Sequence, residues 1–270
     1  MTPEEFPERL SRAREEGLEH LIVQVFPEEL LGLIRKRASE FPHLKFTWAQ
    51  EKPSEATRSA LELLSEDSEP QAIEEESFKI ISSLVDLDSY PRELRPIVWR
   101  LIHATGDPAF PQTLWVHPRA VKIGIELIRS GRDVLTDVEM LKKGVDGRRL
   151  SRWGGRVICG LSEISAPPPG RTRTEAAIQK VLSENPGVGI VAIGNAPTAL
   201  LATIRYLRER PRPILVVGLP VGFVKAVEAK ALLSLQTYPY ITNLGPRGGS
   251  AAAAAVINAL LRLSDGQATA

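Results

Sequence analysis

From residue 133 onward the chain alternates short, continuous apolar runs with segments of helical period, and nothing else in the sequence constrains the fold as tightly. The runs are DVLTDV (133–138), RVICGL (156–161), VGIVAIG (188–194), PILVVGL (213–219) and PYITNL (239–244). Between them lie TEAAIQKVLSEN, TALLATIRYLRER and FVKAVEAKALLSL, whose apolar residues recur at helical spacing. Apolar runs without polar alternation are buried on both faces, the situation of parallel strands covered by helices on either side. The expectation is an α/β domain, doubly wound, with a mainly parallel sheet of about five strands.

Upstream, QAIEEESFKIISSL, the stretch around RPIVWRLIHATGDP, and HPRAVKIGIELIRSG read as helices, the last ending at Gly131. The first 65 or so residues read separately. Strands over EHLIVQVF and LKFTWAQ are set among helices over PEEFPERLSRAREEG, PEELLGLIRKRASEFP and SEATRSALELL, and SEDSEP (65–70) reads as a solvated linker. The expected organisation is a small α/β N-terminal extension over 1–66 and a main domain over 70–264.

Net charge is +1 over 270 residues, so no global field argues for a nucleic acid or a membrane surface as partner. No stretch approaches the roughly 20 apolar residues of a membrane span, and the polar, acidic start does not read as a signal peptide. The cytoplasm is the expected compartment. Cys159 stands alone in an apolar run and reads as a buried small residue. His20 and His43 lack metal-ligand spacing and read as surface residues.

In a doubly wound sheet, ligands bind beyond the carboxyl ends of the strands. Three runs leave the sheet there through unusual loops: Gly194 and Asn195 ahead of Pro197; Gly218, Pro220 and Gly222; and Gly245, Arg247, Gly248 and Gly249, with Ser250 as an N-cap. Each reads either as a tight turn or as a set of backbone N–H groups facing an anion. None matches the dinucleotide fingerprint or a P-loop, which argues against a nucleotide- or methyl-donor-dependent transferase. Arg148, Arg149, Arg152, Arg156, Arg171, Arg173 and Arg247 sit in connections, as a solvated face or as forks for carboxylates. On the helix after Leu94, the apolar stripe is Leu94, Ile97, Val98, Leu101 and Ile102. His103 points away from it with Trp99 beside it, in a last turn whose free carbonyls favour a cation. It reads either as a partly exposed cap or as a group facing a ligand.

The motifs ESFKII, RLIHATG, TDVEMLKKGV, AIGNAPTALL, GLPVGFVKAVEAK and RGGSAAAAAVINAL, in this order, closely resemble the precorrin-8X methylmutase family, also called cobalt-precorrin-8 methylmutase. The resemblance runs from about residue 70 to 263. It implies an isomerase of corrin (cobalamin) synthesis that moves a methyl group from C11 to C12 of a tetrapyrrole. It implies no external cofactor and no protein metal site, any cobalt belonging to the substrate. It also implies a homodimer with substrate near the subunit interface. Carried over residue by residue, it puts the catalytic histidine of R-x-x-H-A on His103, the substrate-contacting serine of S-F on Ser77, and a carboxylate-binding arginine on Arg173. The loop residues Asn195, Gly222, Arg247, Gly248 and Ser250 join the expected substrate site, with Leu219, Val221 and Phe223 covering a ring face. Glu175 beside Arg173, and Pro246 before Arg247, depart from the family pattern. A non-catalytic corrinoid carrier would use the same pocket.

Overall fold

The computed structural model of the chain describes residues 20–24, 45–49 and 70–266. The chain divides into two compact units, Met1–Glu74 and Glu75–Ala270. In the first, β1 (His20–Gln24) and β2 (Lys45–Ala49) pair in parallel, in register from His20 opposite Lys45 to Gln24 opposite Ala49. Both strands lie within the runs EHLIVQVF and LKFTWAQ. The helices expected around them, residues 65–69 of the linker, and His43 lie outside the described residues.

The second unit is built on six strands in the order β3-β8-β7-β6-β4-β5: β3 (Leu114–Val116), β4 (Asp133–Thr136), β5 (Val157–Cys159), β6 (Val188–Ile193), β7 (Leu215–Gly218) and β8 (Tyr240–Asn243). Five of them are the five apolar runs, and all five are mutually parallel. Numbered among themselves, these five lie in the order 2-1-3-4-5, so the winding reverses between β4 and β6. The sixth, β3, was not expected. It is a three-residue edge strand antiparallel to β8, with Trp115 half exposed. Three residues are too few for an alternation to register, and pairing with β8 rather than its own pattern makes it a strand.

Helices cover both faces. Against one lie α2 (Arg95–Thr105), α3 (Ala120–Arg129), α4 (Glu139–Gly144), α5 (Gly147–Ser151) and α9 (Ser250–Ser264). Against the other lie α6 (Arg173–Glu184), α7 (Pro197–Glu209) and α8 (Ala226–Ser234). Successive strand residues feed the two cores in turn: Ile190, Ala192, Leu215 and Val217 join the first, and Val191, Ile193, Ile214 and Val216 the second. That double burial is why these strands carry no polar alternation. Helix α1 (Pro70–Leu84) packs onto α2 through Phe78 and Ile81, which meet Val98, Trp99 and Ile102.

Two local expectations change. The helix expected from Phe223 begins only at Ala226, because Lys225 is left-handed (φ 63°) and residues 220–225 form a loop. Ser250 is the first residue of α9 and not its cap; Gly249 (φ 126°) holds that position without a side-chain bond. Pro197 does open α7, and Gly106 (φ 64°) ends α2 with its N–H on the Ile102 carbonyl.

Candidate active site

Helix α2 packs against α9 in the same core layer, and its C-terminal turn lies by the carboxyl edge of the sheet where α9 begins. His103 stands in that turn, exposed to solvent. Its ring lies 5.5 Å from that of Phe78 on α1. Trp99, expected beside it and facing outward, is instead buried: Phe78 stacks on it at 4.2 Å. Helix α1 therefore occupies the side of α2 that looked unpartnered and leaves the histidine open. Ser77, half-buried, precedes Phe78 on the same helix.

Just past His103, Asp107 forms an ion pair with Arg247 of the last glycine loop. That contact joins the end of the His103 helix to the 245–249 loop. Asn243 Nδ2 and Lys230 Nζ hold the same loop from below by donating to the Arg247 carbonyl at 3.0 and 2.6 Å. The loop crosses the β7 exit closely. The Gly249 N–H donates to the Leu219 carbonyl at 2.8 Å, and a Cβ at Gly248 (φ 156°) would lie 2.2 Å from the same oxygen. The Gly222 N–H donates to the Pro246 carbonyl at 3.0 Å. At Gly194 a Cβ would lie 2.7 Å from the Ser250 Cα, so the β6 exit and the start of α9 also touch backbone to backbone. The three glycine loops thus form one interlocked rim holding Asn195, Gly222, Arg247, Gly248 and Ser250.

Much of the anion-facing backbone expected in these loops is already used inside the chain. Asp137, at the end of β4, is almost fully buried at 1% exposure. It accepts from the N–H groups of Gly194, Asn195 and Ala196 at 3.3, 2.8 and 2.8 Å. It therefore occupies the crevice where the winding reverses and the N-terminus of α7, the place an external anion would take. Burial pushes its carboxyl above the usual range, opposed by those three bonds. Asp137 lies in the motif TDVEMLKKGV, where nothing at local spacing marks its role. Its acid followed a strand, and that was the only signal available.

The arginines separate into two groups. Arg156 pairs with Asp133, and Arg149 with Asp146 and Asp265, at the amino ends of the strands, away from the rim. Both side chains have carboxylate partners inside the chain. A cavity of about 310 Å³ lined by Lys142, Lys143, Gly147, Arg156 and Val157 lies on that same far side. Arg173 is at the rim, but its Nε and Nη2 donate to the Ile164 and Leu161 carbonyls at 2.9 and 3.2 Å, tying down the loop after β5. The neighbouring Glu175 is buried and pairs with Arg205, joining α6 to α7. Its departure from the family pattern is thereby accounted for inside the chain. Leu219 is fully buried and cannot cover a ring, whereas Val221, Phe223 and Val224 are 46, 90 and 78% exposed on the loop after β7. Cys159 is a buried free thiol.

Among the described residues, no helix is long and apolar enough to cross a membrane, and no group of three or more His, Cys, Asp or Glu is arranged to hold a metal ion.

The rim lies within a stretch of the chain that matches a known family. The family model for precorrin-8X methylmutase matches residues 72–263. A cobalt-precorrin-8 methylmutase of Priestia megaterium is 39% identical over 206 residues, covering 74% of this chain and 91% of that protein. A precorrin-8X methylmutase of Sinorhizobium sp is 38% identical over 198 residues, covering 71% and 93%. The crystal structure of a precorrin-8X methyl mutase from Thermus thermophilus superposes with a TM-score of 0.66 at 37% identity, covering 73% of this chain and 97% of that one. The chain belongs to the precorrin-8X methylmutase family, isomerases of cobalamin biosynthesis.

Proposed function

We propose that this chain moves a methyl group from C11 to C12 of precorrin-8X or cobalt-precorrin-8, giving hydrogenobyrinate or cobyrinate, with His103 as the proton donor. The single observation that carries the histidine assignment is its exposed imidazole at the end of α2, where the Asp107–Arg247 pair joins that helix to the glycine rim.

The chemistry asks for little else. The methyl leaves C11 and bonds C12 within one conjugated system, so atoms and electrons balance inside the substrate. A proton shared with the ring nitrogen beside the reacting carbons polarises that system and returns once the methyl has moved. Such donation is worth about 10²–10⁴ in rate. The macrocycle's acetate and propionate arms are assigned to the Ser77 hydroxyl, the Asn195 side chain, and the guanidinium donors of Arg247 and Arg173 that are not already bonded. Gly222, Gly248 and Ser250 shape the rim against which the substrate lies. Val221 and Phe223 offer the apolar cover.

The working form is assigned as a homodimer with substrate near the interface, in the cytoplasm. A carrier that binds without converting is the competing reading. The test is to incubate the protein with precorrin-8X and, separately, cobalt-precorrin-8 and to follow the absorption spectrum. Conversion of either one supports the enzyme. Stoichiometric binding of both with no spectral conversion overturns it.

A further inference from the structure

Lys230 is fully buried on α8, yet nothing in the proposed reaction uses it. Its Nζ donates to Asn243 Oδ1 at 3.1 Å and to the Arg247 carbonyl at 2.6 Å. Asn243 Nδ2 donates to that same carbonyl at 3.0 Å, which closes a ring of three bonds beneath the last glycine loop. Burying an ammonium is costly, and here burial pushes it down to about 8. A fold gains nothing from carrying that cost at a loop base unless the loop's placement matters, since an apolar side chain would fill the same volume more cheaply. What the ring fixes is one residue. The Arg247 backbone is held from below by Lys230, and its guanidinium reaches over to Asp107, four residues past His103.

We propose that Lys230 is a positioning residue for the methylmutase site: it fixes the backbone of Arg247 and, through the Arg247–Asp107 pair, holds the glycine loop against the helix end that carries His103. The assignment rests on the function proposed above. It makes Lys230 act through Arg247, and that makes it testable by coupling rather than by loss of activity alone.

The experiment compares wild type, Lys230→Met, Arg247→Ala and the double variant in steady-state turnover of precorrin-8X or cobalt-precorrin-8. Lys230→Met replaces a desolvated cation by an apolar chain of similar length, and Asn243 still bonds the Arg247 carbonyl, so the melting temperature is expected within a few degrees of wild type. Its kcat/KM is expected to fall about tenfold, and the double variant to be no worse than Arg247→Ala within about threefold. Hydrogen exchange over residues 244–250 is expected to speed up in Lys230→Met, with β6 and β7 unchanged. A folded Lys230→Met with wild-type kcat/KM beside an impaired Arg247→Ala overturns the proposal, and so do effects that multiply in the double variant. If Lys230→Met does not fold, Lys230→Gln takes its place: faster exchange over 244–250 with lowered kcat/KM supports the anchor, and wild-type values of both overturn it. Wild type inactive on both substrates overturns the function instead, and the exchange comparison still decides whether Lys230 anchors the loop.

Discussion

Gly248 shows how tightly single residues are specified at this rim. Its backbone sits at φ 156°, and a methyl group there would meet the Leu219 carbonyl at 2.2 Å, a backbone atom with nowhere to go. Gly248→Ala is expected to cost about 2–4 kcal/mol in urea unfolding, from strain and overpacking together. A variant as stable as wild type would contradict the interlocked-loop geometry. Lys230 predicts a pH dependence of definite sign. Its folded-state value is about 8 against an ordinary 10.5, so between those values the unfolded chain binds the proton and the folded one does not. Stability from this group therefore rises with pH across that window and is lost as pH falls through about 8. Measured as unfolding free energy, wild type should gain on Lys230→Met between pH 8 and 10.5 and run parallel to it below. A difference that stays flat throughout would contradict the buried-ammonium account. Asp137 and Lys230 were both illegible in the sequence for one reason. Their partners lie 57–59 and 13–17 residues away, which no local spacing encodes.

Among the elements, the central strands were readable because burial on both faces writes a continuous apolar run, and all five appear where those runs lie. The edge strand β3 was not, being only three residues long and held by its neighbour. The loop 220–225 misled for the opposite reason. FVKAVEAK fits a helical period, but the left-handed Lys225 breaks it and leaves Phe223 and Val224 in solvent. That exposure carries a prediction for the loop. Phe223→Ser removes almost no buried surface, so stability should change by no more than about 0.5 kcal/mol. If the loop covers a ring face, corrinoid affinity should fall about tenfold or more, read by absorption titration. Unchanged affinity would remove the loop from the site. The arginine clusters teach a related lesson. Sequence proximity grouped Arg149 and Arg156 with Arg173, but strand direction sends the first two to the amino edge and only the last to the rim.

At the scale of the whole molecule, the candidate site draws together three strand-exit loops and one packed helix pair. Loops after β6, β7 and β8 interlock through backbone contacts, α9 starts from the last of them, and α2 packs against α9 and brings His103 to the same edge. Family motifs nominated the residues. The fold explains their joint position, since His103 and Arg247 are far apart in sequence and share a rim only because α2 packs against α9. The measurement that bears most directly on this account is a paired one on His103→Asn: corrinoid titration and single turnover of the 8X substrate, both by absorption. The account predicts affinity within a few-fold of wild type and a methyl-transfer rate lower by about 10²–10⁴. A variant that binds and turns over at the wild-type rate would contradict it.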